Sequence, residues 1–250
     1  MTEQAEGSET RELWVVSLGL TPYEEVLELQ RALARERISG AIPEDILLLV
    51  EHPPVVTLGR SAKARNLVSS SDYLKSRGVE LFEVERGGDV TFHGPGQLVG
   101  YPIIDLKRHR QDLHWFLRQV EEALIMTLAA YSIPGERSTG YTGVWTSGRK
   151  IASIGVHARD WVTWHGFAIN ITTDLSYFDL IIPCGIDGVT MTSIEREAGA
   201  SATAARPGFQ SPLVTVEAAG QIAARSFGEL FDLTPVAVDA SAIAPAPAPA

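Results

Sequence analysis

Between residues 143 and 171 the chain reads strand, turn, strand, turn, strand, with Ser147-Gly148 at the first break. Strand segments separated by such tight turns pair as antiparallel neighbours, so an antiparallel meander must lie inside any fold this chain adopts. Upstream, strand-like runs occur at 13–18, 46–51, 55–58, 79–84, 90–92 and 98–104. Helical spacing appears where Thr21, Pro22 and Glu24 open a run carrying Tyr23, Val26, Leu27, Leu33 and Ala34, with Gly40 at its end. A short helix opens at Ser71-Asp72 and closes at Gly78, and a long amphipathic helix spans 111–131 before Pro134-Gly135. Helical stretches at 191–198 and 215–231 follow, the last set off as a small C-terminal lobe. The expectation is a single α+β domain over 11–235, with a mixed, largely antiparallel sheet flanked by helices. Residues 1–10 and the Ala/Pro-rich 236–250 are expected to be disordered ends.

Charge and cysteine count narrow the chemistry. The formal charge is −10 over 250 residues, which argues against general affinity for nucleic acid or anionic lipid. The N-terminal residues are polar and acidic, with no secretory signal, and no apolar run approaches the ~20 residues of a membrane span. A cytoplasmic protein with a small-molecule or protein partner is expected. A single thiol, Cys184, excludes an internal disulfide or a cysteine-built metal cluster. The six histidines lack ligand-like pairing, so no metal is expected. His109 and His114 sit on or beside the long helix without chemistry, His52, His93 and His165 are candidates for lining a pocket, and His157 has no assignment.

Three clusters stand out. Arg86, Gly87, Gly88, Asp89, Val90, Thr91, Phe92 and His93 run into Gly94-Pro95-Gly96-Gln97, a glycine-rich stretch between two strands. Either a tight hairpin or a cradle of backbone amides for a ligand fits that pattern. Its spacing is not a dinucleotide fingerprint, because strand rather than helix follows. The second cluster surrounds Lys150, in a chain with only four lysines among 21 basic residues. A desolvated lysine can lose its proton and act as a base, whereas arginine cannot; a strand-end lysine reaching for water is the plainer alternative. The third is Pro183-Cys184-Gly185, where the lone thiol is either a small buried hydrophobe or a nucleophile whose neighbouring Gly185 N–H serves an oxyanion.

Together these motifs resemble the lipoyl(octanoyl) transferase family over residues 14–231. The matching stretches are Arg86 to Gln97, Lys150 to Val156, His165 to Asn170 and Pro183 to Ile186, in that order. The resemblance implies a biotin/lipoate ligase-like catalytic fold and no cofactor or metal. It implies that an octanoyl group passes from acyl carrier protein to a lysine of a lipoyl domain, in 2-oxoacid dehydrogenase complexes or glycine cleavage H protein, through a cysteine thioester. Carried over by position, Cys184 is the nucleophile and Lys150 the lysine that lowers its pKa. Arg86 to His93 form the first substrate-binding stretch, Ser153, Ile154 and Gly155 the second, and Gly166, Phe167 and Ala168 the third. A neutral polar residue such as Gln would be expected where Asp89 stands.

The chemistry implied is consistent with the residues. A thioester donor suits a soft nucleophile, and Lys150 can first promote the thiolate and then, neutral, accept the proton of the incoming amine. A second oxyanion donor is expected from a turn at 153–155. Val99, Ile154 and Phe167 would line the acyl tunnel. Acyl carrier proteins are acidic, so a local basic patch is required: Arg60, Lys63 and Arg65, with Lys107, Arg108 and Arg110, are the expected docking residues. The rival readings are an ATP-dependent lipoate or biotin-type ligase, which would not need Cys184, and a non-catalytic binder of lipoyl domains or carrier proteins.

Overall fold

The computed structural model describes residues 11–201 and 212–243. In chain order the elements are β1 (Glu12–Leu20), α1 (Tyr23–Ser39), β2 (Asp45–Glu51), β3 (Val55–Leu58), α2 (Ser71–Ser76), β4 (Glu80–Glu83), β5 (Val90–His93) and β6 (Gln97–Ile103). Then follow α3 (Leu113–Ala130), β7 (Gly143–Thr146), β8 (Arg149–Arg159), β9 (Val162–Asn170), α4 (Ile194–Ser201), α5 (Val216–Phe231) and β10 (Thr234–Ala237). Seven strands form one sheet in the order β10-β1-β2-β6-β9-β8-β7, parallel only at β1 and antiparallel elsewhere. The meander read from the sequence is its β7-β8-β9 end. A smaller sheet, β4-β3-β5, stands beside it.

Helices cover both faces of the large sheet, which explains why Ile46 to Val50 of β2 are all apolar rather than alternating. On one face Phe116, Val120 and Leu124 of α3 and Ala223 and Phe227 of α5 meet Leu47, Leu49 and Ile169. On the other, Val26, Leu33 and Ala34 of α1 meet Ile46, Leu48 and Tyr101. Each of the larger side chains among these contributes ~1.5–3 kcal/mol on burial. The helix ends follow local chemistry. Asp112 accepts the Trp115 N–H at 3.0 Å to start α3, and Gly40, at φ +79°, closes α1. Thr21 does not cap α1; its hydroxyl donates back to Leu18 O at 2.8 Å, and Pro22 occupies the cap position.

Three expectations change. The last helix forms no separate lobe, because α5 packs on α3 in the main core. The chain from 236 onward is not a loose end through 243. Val236 and Ala237 pair with Trp14 and Val15 in β10, and Ile243 is buried against the α1 face. Residues 244–250 and 1–10 lie outside the described residues. Finally, the glycine-rich turn after Val90 is not a hairpin, since β5 pairs with β3 while β6 pairs with β2 and β9, in the other sheet. No helix among the described residues is long and apolar enough to cross a membrane.

Candidate active site

Because the glycine-rich stretch crosses from one sheet to the other, it forms one wall of a cavity of about 200 Å³ between them. Arg86, Gly88, Asp89, Val90, Thr91 and His93 face this cavity. Gly87 and Phe92 do not: the Gly87 N–H donates to Val156 O at 2.8 Å, and the Phe92 ring stacks on Tyr177 at 4.8 Å. A second wall comes from β8 and β9. There Ser153 pairs with Ala168, Ile154 with Phe167 and Gly155 with Gly166, so the second and third stretches are partners in one ladder, and all six residues line the cavity. Val99 lines it too.

Cys184 lies half-buried on the cavity edge, in a tight turn where its φ is +58°. A non-glycine residue there carries ~1–2 kcal/mol of strain, a cost that persists where the surroundings over-determine it. Its Sγ stands 3.6 Å from Ser153 Oγ. The Gly185 N–H is not an oxyanion donor, because it donates to Ile182 O at 2.9 Å. Glycine is needed at 185 for another reason: with φ +67°, a Cβ there would also sit 2.6 Å from Asp89 Oδ2. The expected turn at 153–155 is mid-strand, with Ser153 opposite both Gly143 and Ala168, so no turn offers a donor there.

Lys150 is fully buried and lies behind the cavity rather than on its surface. Its Nζ donates to Thr142 O at 3.2 Å and stands 3.7 Å from the centroid of the Trp145 ring. Burial pushes this ammonium below the usual lysine range, opposed by the negative charge that Cys184 carries as a thiolate and by the carboxylate of Glu121. The backbone explains why Lys150 and Cys184 lie close enough to couple electrostatically. Lys150 N–H donates to Thr190 O at 2.8 Å and Lys150 O accepts from Thr192 N at 2.9 Å, which pins the segment after Cys184 alongside β8.

The other polar groups sort into structural ties and cavity atoms. Arg86 spends its guanidinium on Thr57 O at 2.7 Å, Thr57 Oγ1 at 2.8 Å and Gly87 O at 3.0 Å, so it fastens the glycine-rich loop to β3. Asp89 accepts from Asn66 Nδ2 at 2.7 Å and the Val90 N–H at 2.8 Å, which explains a carboxylate at this position. His93 has its tautomer set by its neighbours. Gln97 donates its amide to Phe92 O and Asn170 Oδ1, so its Oε1 must accept from His93 Nδ1 at 2.8 Å, leaving Nε2 as an acceptor. Burial lowers the His93 pKa to about 3. His52 lies behind the cavity, bonded to Thr21 O and Tyr101 Oη at 2.8 Å each, with its pKa lowered by burial to about 4. His165 lines the cavity, its Nε2 3.7 Å from Glu85 Oε1 and beyond hydrogen-bond reach. His109 is structural, 2.7 Å from the buried Asp45 carboxylate, and His157 packs edge-on against Trp164.

The two basic runs part company. Arg60, Lys63 and Arg65 are exposed, and the Lys63 N–H reaches Asp89 on the cavity wall at 3.3 Å. Lys107 lies 3.8 Å from Asp105 and Arg110 3.2 Å from Asp112, while Arg108 donates to Pro43 O. Sequence reasoning missed Tyr23, Tyr101, Tyr141 and Ile186 on the cavity and Glu121 behind Lys150. Only Glu121 carried a signal: it is a charged residue in the apolar stripe of α3, beside Val120 and Leu124.

Residues 22–207 match the family model described as the lipoyl protein ligase A/B catalytic domain. An octanoyltransferase of Rubrobacter xylanophilus is 57% identical over 183 residues, 72% of this chain and 81% of that one. The octanoyltransferase of Acidobacterium capsulatum is 47% identical over 230 residues, 87% and 89% of the two chains. Among solved structures, a lipoate-protein ligase A bound with ATP superposes with a TM-score of 0.67 at 16% identity, covering 92% of this chain and 89% of the other. A bipartite lipoate protein ligase from Thermoplasma acidophilum, solved in a study with its E2 lipoyl domain, gives 0.66 at 19% identity, covering 92% and 87%. At those identities the superpositions establish the fold.

Proposed function

The chain belongs to the octanoyltransferases, within the lipoyl protein ligase A/B catalytic-domain family, and from that membership we propose how its cavity carries the octanoyl group. The reaction is octanoyl transfer in protein lipoylation. The donor is octanoyl acyl carrier protein and the acceptor a lysine of a lipoyl domain. The observation that carries the mechanism is a half-exposed thiol on the cavity edge with a buried lysine held behind it.

The Cys184 thiol passes its proton to Lys150, and the thiolate attacks the donor thioester carbonyl. The carbon–sulfur bond to the carrier breaks, the carrier's thiolate takes the proton from Lys150, and the acyl group remains on Cys184 as a thioester. Lys150 is then neutral. The lipoyl-domain amine attacks the new thioester and its carbon–sulfur bond breaks, while Lys150 takes a proton from that amine and passes it to the released Cys184 thiolate. Because one thioester replaces another, the first step is near balance, and the amide formed in the second makes the transfer run forward.

The acyl chain lies along β8 and β9 over Val99 and Ala168; the side chains of Ile154 and Phe167 pack on the opposite face of the sheet, where Phe167 stacks on Phe227 at 5.6 Å. From Ser153, beside the thiol, to Val156, opposite His165, is three residues of strand, ~10 Å at ~3.3 Å each. With carbon–carbon bonds of ~1.5 Å and angles near 111°, an extended octanoyl group spans ~9 Å from carbonyl to methyl. A longer chain would meet the polar side chains of His165, His93 and Tyr101. Arg60, Lys63 and Arg65, beside the cavity, dock the acidic carrier.

Mixing the protein with octanoyl carrier protein, trapping the product and analysing its peptides by mass spectrometry tests this. An octanoyl adduct on Cys184 that is chased onto a lipoyl-domain lysine is the expected result. Turnover of ATP and free octanoate by Cys184→Ala, with no adduct on the wild-type thiol, would replace this mechanism with that of a ligase.

A further inference from the structure

Glu121 lies in the buried face of α3, is fully buried, and is not on the cavity. A carboxylate in that position is costly unless it is paired, and it is paired three ways. Arg118 Nη1 and Arg137 Nε, the latter at 3.0 Å, reach Oε2, and the Gly143 N–H reaches Oε1 at 3.1 Å. The third contact leads to the reaction. Gly143 follows Thr142, whose carbonyl takes the Lys150 ammonium at 3.2 Å. The fit around that amine is close: a Cβ on Gly143 would stand 2.4 Å from Lys150 Nζ and 2.7 Å from Ala152 O.

We propose that Glu121 is a positioning residue that acts through Lys150, by fixing the Thr142 carbonyl against Nζ and by placing a fixed negative charge behind the amine. The inference rests on Lys150 being the proton carrier. The charged groups around Nζ are Cys184 on the cavity side and Glu121 on the α3 side, and Arg118 and Arg137 offset part of the Glu121 charge. Once Cys184 is acylated it no longer ionises, so Lys150 titrates against Glu121 and its two arginines alone. In that state Glu121 holds the proton affinity of the amine up, against burial.

The test uses the preformed octanoyl-enzyme, mixed with excess lipoyl domain in single turnovers across pH. Transfer needs neutral Lys150, so the rate falls on the acid side with a midpoint set by that amine. Glu121→Gln keeps an acceptor for the Gly143 N–H and removes the charge. Its midpoint should move to lower pH by half a unit or more, a threefold or greater relative gain on the acid limb. Arg137→Gln, at a partly exposed guanidinium, uncovers the Glu121 charge and should move the midpoint upward. Opposite movements in the two variants are the signature, since a loosened loop would only lower the plateau rate. Unmoved midpoints in both, with Lys150→Ala still inactive, overturn the role of Glu121 alone. Wild-type transfer by Lys150→Ala overturns the reading of Lys150, and this inference with it.

Discussion

Replacing Lys150 with Met should make the protein more stable and nearly inactive. Methionine keeps the length of the side chain and removes the amine. The wild-type amine is fully buried, with one hydrogen bond among the described residues, to Thr142 O at 3.2 Å, and one aromatic face, Trp145, at 3.7 Å. Taking an ammonium out of water costs several kcal/mol. The Thr142 bond returns ~1 kcal/mol and the ring ~1–2 kcal/mol, so the site remains a net cost. Relief of that cost should raise stability by ~1–2 kcal/mol at neutral pH, or a Tm higher by ~2–8 °C for a chain of this size. The pH dependence gives a second check. Burial holds the folded pKa of Lys150 below its unfolded value of about 10.4. Between those two values the unfolded chain binds the extra proton, so wild-type stability gains as pH rises through that window and the Met variant shows no such gain. Thermal or urea unfolding at pH 7 and pH 10 should therefore find the gap between the two proteins narrowing. Transfer activity should fall ~10²–10⁴-fold with the loss of the proton carrier. A Met variant less stable than wild type at pH 7, or a gap unchanged at pH 10, refutes the reasoning.

Cys184→Ala should abolish the acyl adduct and lower turnover by at least ~10³-fold, with the unfolding midpoint nearly unchanged because the thiol is only half-buried, as activity assays and calorimetry would show. Acid should weaken the fold early: His52 and His93 titrate at about 4 and about 3 when folded, so below pH 6.5 the unfolded chain binds protons the folded one does not. At pH 5 that is ~2 kcal/mol lost per histidine, measurable by urea titration, and His52→Gln should flatten part of the slope. Arg60→Glu with Arg65→Glu should raise the KM for octanoyl carrier protein and flatten its salt dependence. The same reversal at Arg110, which already faces Asp112 at 3.2 Å, should change neither.

What could be read from the chain depended on the range of the interactions. Local periodicity revealed the β7-β8-β9 meander and the amphipathic α3, because pairing and burial there involve near neighbours. It could not show that β5 and β6 enter different sheets, since each finds its partners tens of residues away. Val236 and Ala237 read as the start of a tail because their partner, β1, lies at the other end of the chain. In the site, residue types were legible and hydrogen-bond commitments were not. A Gly185 N–H beside a thiol looks available until Ile182 O is seen to occupy it. Arg86 does face the cavity, but nothing in its sequence position shows that Thr57 also holds its guanidinium.

The pairing of Lys150 with the Thr190 to Thr192 segment gives the loop after Cys184 the character of a tensioned span. One end is tied by the Ile182 N–H to Asn66 O at 2.8 Å, the other by the two bonds to Lys150 itself. One inserted residue between 185 and 189 would add up to ~3.5 Å of slack. That equals the whole 3.6 Å separation between Ser153 Oγ and Cys184 Sγ. The Cys184 sulfur is thus located by a count of residues, and these few positions should tolerate changes of side chain more readily than a change of length.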